Sequence, residues 1–123
     1  MNCFDEYQKK AHETADYPNG CIYSKDNDWV RTNGVNYLYP VFGLAEEAGE
    51  VSGKFAKAVR DNDGIIDDER TTEIVKELGD VLWFVSEICT CLGVSLSEVA
   101  EKNLSKLASR KQRNVIHGSG DNR

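Results

Sequence analysis

Residues 68–93 read DERTTEIVKELGDVLWFVSEICTCLG. Within them Ile74, Val75, Leu78, Val81, Leu82, Val85, Ile88, Cys89 and Leu92 recur at steps of three and four, the period of one face of an α-helix. The spacing predicts a helix that starts between Asp68 and Thr72 and ends near Leu92, with an apolar face wide enough for the centre of a helical bundle. Gly93 supplies the stop, because glycine alone takes the left-handed conformation of a helix end without a steric cost. Downstream, Ser95-Leu96-Ser97-Glu98 fits a capping box in which Ser95 caps the new N-terminus and Glu98 returns the bond. A further helix over about 96–112 then turns Leu96, Val99, Ala100, Leu104, Leu107 and Ala108 inward. The tail from His117 to Arg123 has no periodicity and reads as a loop or arm, with 115–123 as its extent.

Upstream, Leu44, Ala48, Val51, Phe55 and Ala58 or Val59 form the apolar stripe of a helix that begins near Val41 and ends at Asp61-Asn62-Asp63-Gly64. Phe4, Tyr7, Ala11 and Ala15 give a short first helix over about 4–16, stopped before the turn cluster Tyr17-Pro18-Asn19-Gly20. From Pro18 to Gly34 the chain is rich in Asn, Asp, Gly and Ser, with isolated Ile22, Tyr23, Trp29 and Val30, and reads as one long connection. No repeat or strand pattern stands out. The expected class is all-α, a four-helix bundle in one domain spanning 1–123.

A chain of 123 residues and 13.8 kDa buries a core without disulfides or structural zinc. With 40% apolar and 29% charged residues and no apolar run near the ~20 that span a bilayer, neither a membrane segment nor a membrane partner is expected. The acidic start Met1-Asn2-Cys3-Phe4-Asp5-Glu6 lacks the order of a secretory signal, so the expected location is cytoplasmic and Cys3, Cys21, Cys89 and Cys91 are expected as free thiols. A formal charge of −6 argues against a nucleic-acid partner, which needs a positive surface, but leaves room for a nucleotide carried in with a metal ion.

Two acidic pairs stand out. Glu47 and Glu50 are three apart on the second helix, and Glu77 and Asp80 three apart on the third, so each pair projects from one side of its helix. Glu77 sits about 60° from Ile74 and about 40° from Val81 around the helix, within the face that should meet the core. Asp80 precedes Phe84 by four and adjoins Gly79. Taken singly, such pairs are common on salt-bridged surfaces; pointing inward together, they repel and need shared protons or a cation. Oxygen ligands without histidine suit magnesium or manganese, whereas di-iron bundles add a Glu-x-x-His motif. His12 and His117 are isolated and read as packing or surface groups. Lys54 and Lys57 follow Glu50 on its helix and suit either carboxylate neutralisation or phosphate. Asn103, Lys106 and Arg110 form a polar stripe on the fourth helix suited to phosphate or sugar, or to solvent. Trp83, three after Asp80, suits stacking on a base or packing in the core.

At these residues the sequence resembles the MazG-like nucleoside triphosphate pyrophosphohydrolases of the all-α NTP pyrophosphatase superfamily. Their signature, Glu-Glu-x-x-Glu, a spacer and Glu-x-x-Asp, stands here as Glu46-Glu47-Ala48-Gly49-Glu50 and Glu77-Leu78-Gly79-Asp80. Val81-Leu82-Trp83-Phe84, the Leu92-Gly93-Val94 turn and the run from Glu98 to Leu104 resemble family members too, and the tail resembles small single-domain members from bacteria and phages. Phe84 departs from the tyrosine that many relatives carry.

The resemblance implies a MazG fold assembled as a dimer or tetramer, and hydrolysis of an NTP or dNTP between the α and β phosphates to a monophosphate and pyrophosphate. It implies Mg²⁺, with Mn²⁺ as a substitute, on Glu47, Glu50, Glu77 and Asp80. Glu50 or Glu46 would act as general base, and Lys54, Asn103, Lys106, Arg110 and Trp83 would bind the substrate. The rival readings are a related dUTPase or phosphoribosyl-ATP pyrophosphohydrolase, and a non-catalytic helical adaptor.

Overall fold

The computed structural model describes residues 2–17, 31–32 and 35–123, with backbone alone for 31, 32, 35 and 36. The central helix, α3 (Asp68–Leu92), starts where Asp67, in extended conformation, accepts a hydrogen bond from the Arg70 amide at 2.9 Å. It ends on Gly93 at φ 68°, and the Val94 amide returns to the Cys89 carbonyl at 3.0 Å, so the stop read from the sequence is a left-handed cap. The second helix, α2 (Leu38–Asp61), begins three residues before Val41. Pro40 falls in its first turn, where backbone amides have no partner within the helix, and is buried there instead of breaking it.

These two long helices pair antiparallel. As positions on α2 rise from Gly43 to Lys54, their partners on α3 fall from Phe84 to Glu73. A Cβ on Gly43 would stand 2.2 Å from the Phe84 ring, so the missing side chain is what lets the ring lie against α2.

The first helix, α1 (Cys3–His12), is shorter than the predicted 4–16. The Trp83 indole N–H donates to the Ala11 carbonyl at 3.2 Å and to Thr14 Oγ1 at 2.8 Å, and the Thr14 hydroxyl donates back to Ala11 at 2.7 Å. That carbonyl is taken up from outside the helix, and the chain leaves through tighter turns at Thr14 and Ala15. Gln8 latches α1 to the end of α3, donating to Thr90 Oγ1 and the Val94 carbonyl and accepting from the Leu96 amide at 2.6 Å.

The fourth helix, α4 (Leu96–Gln112), has the predicted bounds and is turned 102° from α3. Ser95 caps it by accepting from the Glu98 amide at 3.1 Å, but the Glu98 carboxylate accepts from Lys102 at 2.6 Å in place of the expected return bond. The predicted arm folds back on α4: Asp121 accepts from Lys106 at 3.2 Å and from Arg110 at 3.0 Å.

The class is all-α, as predicted, apart from a minimal ladder of β1 (Arg31–Thr32) with β2 (Val35–Asn36), in which Arg31 pairs with Asn36 and Thr32 with Val35. Two residues a side are too few to leave an alternating pattern in the sequence. The rest of the long connection, with Cys21, Ile22, Tyr23, Trp29 and Val30, lies outside the described residues. Among the described residues no single helix is long and apolar enough to cross a membrane, and Cys3, Cys89 and Cys91 are free thiols.

The core is small. Ala11, Ala58, Ile74, Phe84, Cys89 and Leu96 are buried, while Phe55, Val59, Val75, Leu78, Val99, Leu104 and Leu107, all on stripes or helices expected to face inward, are exposed. The periodicity is helical as read. With α4 turned off the bundle axis, however, the described residues leave parts of these stripes uncovered.

Candidate metal centre

The antiparallel register of α2 and α3 carries Glu47 past Glu77 and Asp80. One carboxylate oxygen from each of the three lies within 4.8 Å of the others. Glu47 and Glu77 are half-buried and Asp80 is exposed, so the group lines the wall of a groove. Glu77, read as facing the core, keeps 19% of its side chain exposed and turns to Lys54, whose Nζ lies 3.3 Å from it and 3.6 Å from Glu73. Glu50, read as a fourth ligand, is exposed and lies outside this three-member group; Glu46 is exposed as well.

Charge in the groove is crowded. Burial, followed by the negative charges of Asp80, Glu46, Glu77 and Glu50, pushes the Glu47 carboxyl above its ordinary range. The Tyr7 hydroxyl of α1 is likewise pushed up, by burial first and by the Asp80 charge second, which keeps it a protonated neighbour of the cluster. Lys54 is held protonated more firmly than usual, chiefly by its hydrogen bond to Glu77. A half-buried carboxylate destabilised by four like charges fits a hard divalent cation, and the donor set is entirely oxygen. Glu47, Glu77 and Asp80 are the residues that would hold it.

A cavity of about 330 Å³ opens beside the carboxylates. Glu47, Asp80 and Asp16 are its acidic lining; Tyr17, Tyr39, Trp83 and Phe84 form its aromatic walls, and Thr14 lines it too. Tyr17 and Tyr39 stack with centroids 4.9 Å apart, and Trp83 meets Phe84 edge-on at 4.9 Å. Such a volume, apolar walls and a few convergent charges are the ordinary make-up of a small-molecule site. Lys54 also lines a separate, smaller cleft of about 220 Å³, shared with Lys57, Arg70, Asp61, Glu69 and Glu73.

The residues read as substrate contacts divide between two places. Trp83 lines the cavity and Lys54 borders the carboxylates. Asn103, Lys106 and Arg110 lie on α4: Asn103 is exposed, and Lys106 and Arg110 are engaged by Asp121, with Arg110 only 6% exposed. None of these three lines the cavity in the single chain.

Sequence reasoning passed over Tyr7, Tyr17 and Glu87. Glu87 is fully buried, accepts from the Tyr17 hydroxyl at 2.9 Å and lies 3.1 Å from His12 Nδ1, so His12 is not the isolated group it looked. The available signal was helix phase: Glu87 follows Asp80 by seven, two turns along one face, inside an apolar run.

Known proteins bear on this arrangement directly. The MazG nucleotide pyrophosphohydrolase domain model matches residues 40–115, a stretch that holds both acidic pairs, the aromatic wall from α3 and the polar stripe of α4. The chain is 44% identical over 119 residues to the Gene 37 protein of Mycobacterium phage L5, covering 97% of each. No solved structure matches significantly. Because the matched stretch is most of the chain and carries the helix pair that gathers the carboxylates, this protein belongs to the MazG nucleotide pyrophosphohydrolase family.

Proposed function

We propose that the protein hydrolyses a nucleoside or deoxynucleoside triphosphate at the α–β phosphate bond, with Mg²⁺ as the physiological cation and Mn²⁺ as a substitute. The observation that carries this reading is the convergence of Glu47, Glu77 and Asp80 beside an aromatic cavity. A divalent cation held there would offset the negative charge of phosphate oxygens and make a water more acidic.

The chain's own groups divide the remaining work. Water attacks the α-phosphorus, the bond to the bridging oxygen breaks, and the monophosphate and pyrophosphate leave. Glu50, or Glu46, exposed and outside the three-member group, takes the proton from the water as general base. Lys54 balances Glu77 and Glu73 and sets the charge along the groove where the phosphates lie. The base enters the cavity between the aromatic walls, where flat faces favour any base by stacking.

In a homo-oligomer, a dimer or tetramer, α4 brings the exposed Asn103 to the substrate of a second copy, with Lys106 and Arg110, which Asp121 engages in the single chain, as the basic groups behind it. The support is the exposed apolar row on α2, α3 and α4, together with the placement of these three residues away from the cavity of their own chain.

A panel of canonical and modified NTPs and dNTPs, incubated with Mg²⁺ and followed for pyrophosphate against phosphate, tests the reading. Pyrophosphate release from at least one nucleotide, abolished by chelation, is expected. Release of phosphate alone, or no release from any nucleotide, overturns it.

A further inference from the structure

Three of the four aromatic walls of the cavity are fixed by the helices that carry them, since Tyr39 stands on α2 and Trp83 and Phe84 on α3. Tyr17 is different. It follows the end of α1 by five residues and belongs to no helix or strand, so helical hydrogen bonding does not set where its ring lies. What reaches it is Glu87. The Tyr17 hydroxyl donates to Glu87 Oε2 at 2.9 Å and lies 3.5 Å from Cys91 Sγ, while the ring stacks on Tyr39 at an interplanar angle of 23°. His12 Nδ1 lies 3.1 Å and 3.3 Å from the two Glu87 oxygens, which ties the same carboxylate to the last residue of α1.

Glu87 itself has no exposed surface. Desolvating a carboxylate is expensive, and the cost is tolerated where the group is fully hydrogen-bonded. Here both bonding partners lie at the end of α1 or in the segment after it, whose Thr14, Asp16 and Tyr17 line the cavity. Gln8 and Trp83 already fix α1 against α3 as far as Thr14; Glu87, an acceptor with two oxygens, carries that order on to Tyr17.

We infer that Glu87 is a positioning residue for nucleotide binding: from inside α3 it holds the Tyr17 hydroxyl and His12, and so sets the Tyr17 ring as the wall of the cavity beside Glu47 and Asp80. This rests on the reading of that cavity as the place of the base. Glu87 touches neither substrate nor cation in this scheme, and acts through Tyr17.

Tyr17→Phe deletes one oxygen and leaves the ring, so it is the mildest test. It should raise KM for the nucleotide by about fivefold with kcat within about twofold, as expected for loss of one hydrogen bond to a charged group that orders a binding wall. Mn²⁺ binding, read by electron paramagnetic resonance, should not change. Glu87→Gln keeps an acceptor for Tyr17 and should hold KM near the wild-type value. Glu87→Leu should reproduce the KM of Tyr17→Phe, and the double variant should add nothing further; should Glu87→Leu fail to fold, Tyr17→Phe decides. A Tyr17→Phe enzyme with a lowered melting temperature and an unchanged KM overturns the positioning role and leaves the pyrophosphohydrolase reading standing. Wild-type protein that cleaves no nucleotide overturns both.

Discussion

Glu47, Glu77 and Asp80 each bring a carboxylate oxygen within 4.8 Å of the others, so like charge is crowded along the groove. Glu47 registers this as an upward shift, caused by burial first and by its acidic neighbours second. A carboxyl whose pKa is raised by folding contributes stability that is full below its unfolded-state value and is lost as pH rises through the folded-state value. With EDTA present, the melting temperature should therefore fall as pH climbs through the range just above the ordinary glutamate value. Saturating Mg²⁺ should remove that fall and add about 2.7 kcal/mol of stability at ~100 times its Kd. A melting temperature indifferent to Mg²⁺ at every pH would rule out a cation on these residues. Glu77→Gln keeps the shape of the side chain and removes a charge from the group, so turnover should drop by at least about 10²-fold while the helical circular dichroism is kept. Unimpaired turnover would remove Glu77 from the site. The three-residue spacing within each acidic pair, and the phase of Glu77 against Ile74 and Val81, made these residues legible in the sequence. The different positions of Glu47 and Glu50 were not, because both lie on one side of α2 and only the crossing of α3 selects Glu47.

At the scale of elements, the bounds of α3 and α4 follow from local chemistry that a sequence displays: a capping aspartate or serine at the start, and for α3 a glycine at the stop. The early end of α1 does not, since it depends on Trp83, 72 residues away from Ala11 in the chain. The fold-back of the tail onto Arg110 is hidden for the same reason, as no period announces a carbonyl that meets a guanidinium. The contact of α2 with α3 turns on Gly43, which sequence reading had no cause to separate from the other glycines of that helix. A methyl group there would stand 2.2 Å from the Phe84 ring, and Phe84 is buried on a helix that also carries Asp80. Gly43→Ala should therefore destabilise the protein by about 1–3 kcal/mol in chemical denaturation, as overpacking does, despite the better helix propensity of alanine. It should also lower metal affinity by prising Glu47 away from Asp80. A Gly43→Ala variant as stable as wild type would show that the two helices part at little cost.

Among the described residues of the whole molecule, much apolar surface lies uncovered. Val59 on α2 is 70% exposed and Leu104 on α4 is 66% exposed, on chains whose helical stripes were laid out for burial. Single exposed apolar residues are ordinary; rows of them on three helices are what supports the proposed oligomer. Asn103, Lys106 and Arg110 stand about 100° to 160° around α4 from Leu104, so in the proposed assembly they flank the apolar row and do not share its face. On the proposed reading assembly and catalysis are linked, and light scattering should give the wild-type protein a mass of two or four times 13.8 kDa. Leu104→Glu places a charge where the apolar row must be desolvated, and should reduce the mass to that of one chain while keeping the α2–α3 pair and its Mn²⁺ site intact. Its nucleotide turnover should fall together with the mass, with KM rising more than kcat drops, because the lost groups are those proposed to grip phosphate. Full turnover by a monomeric Leu104→Glu protein would show that α4 of a neighbour contributes nothing to the site, and would return the whole of substrate binding to the cavity and Lys54 of a single chain.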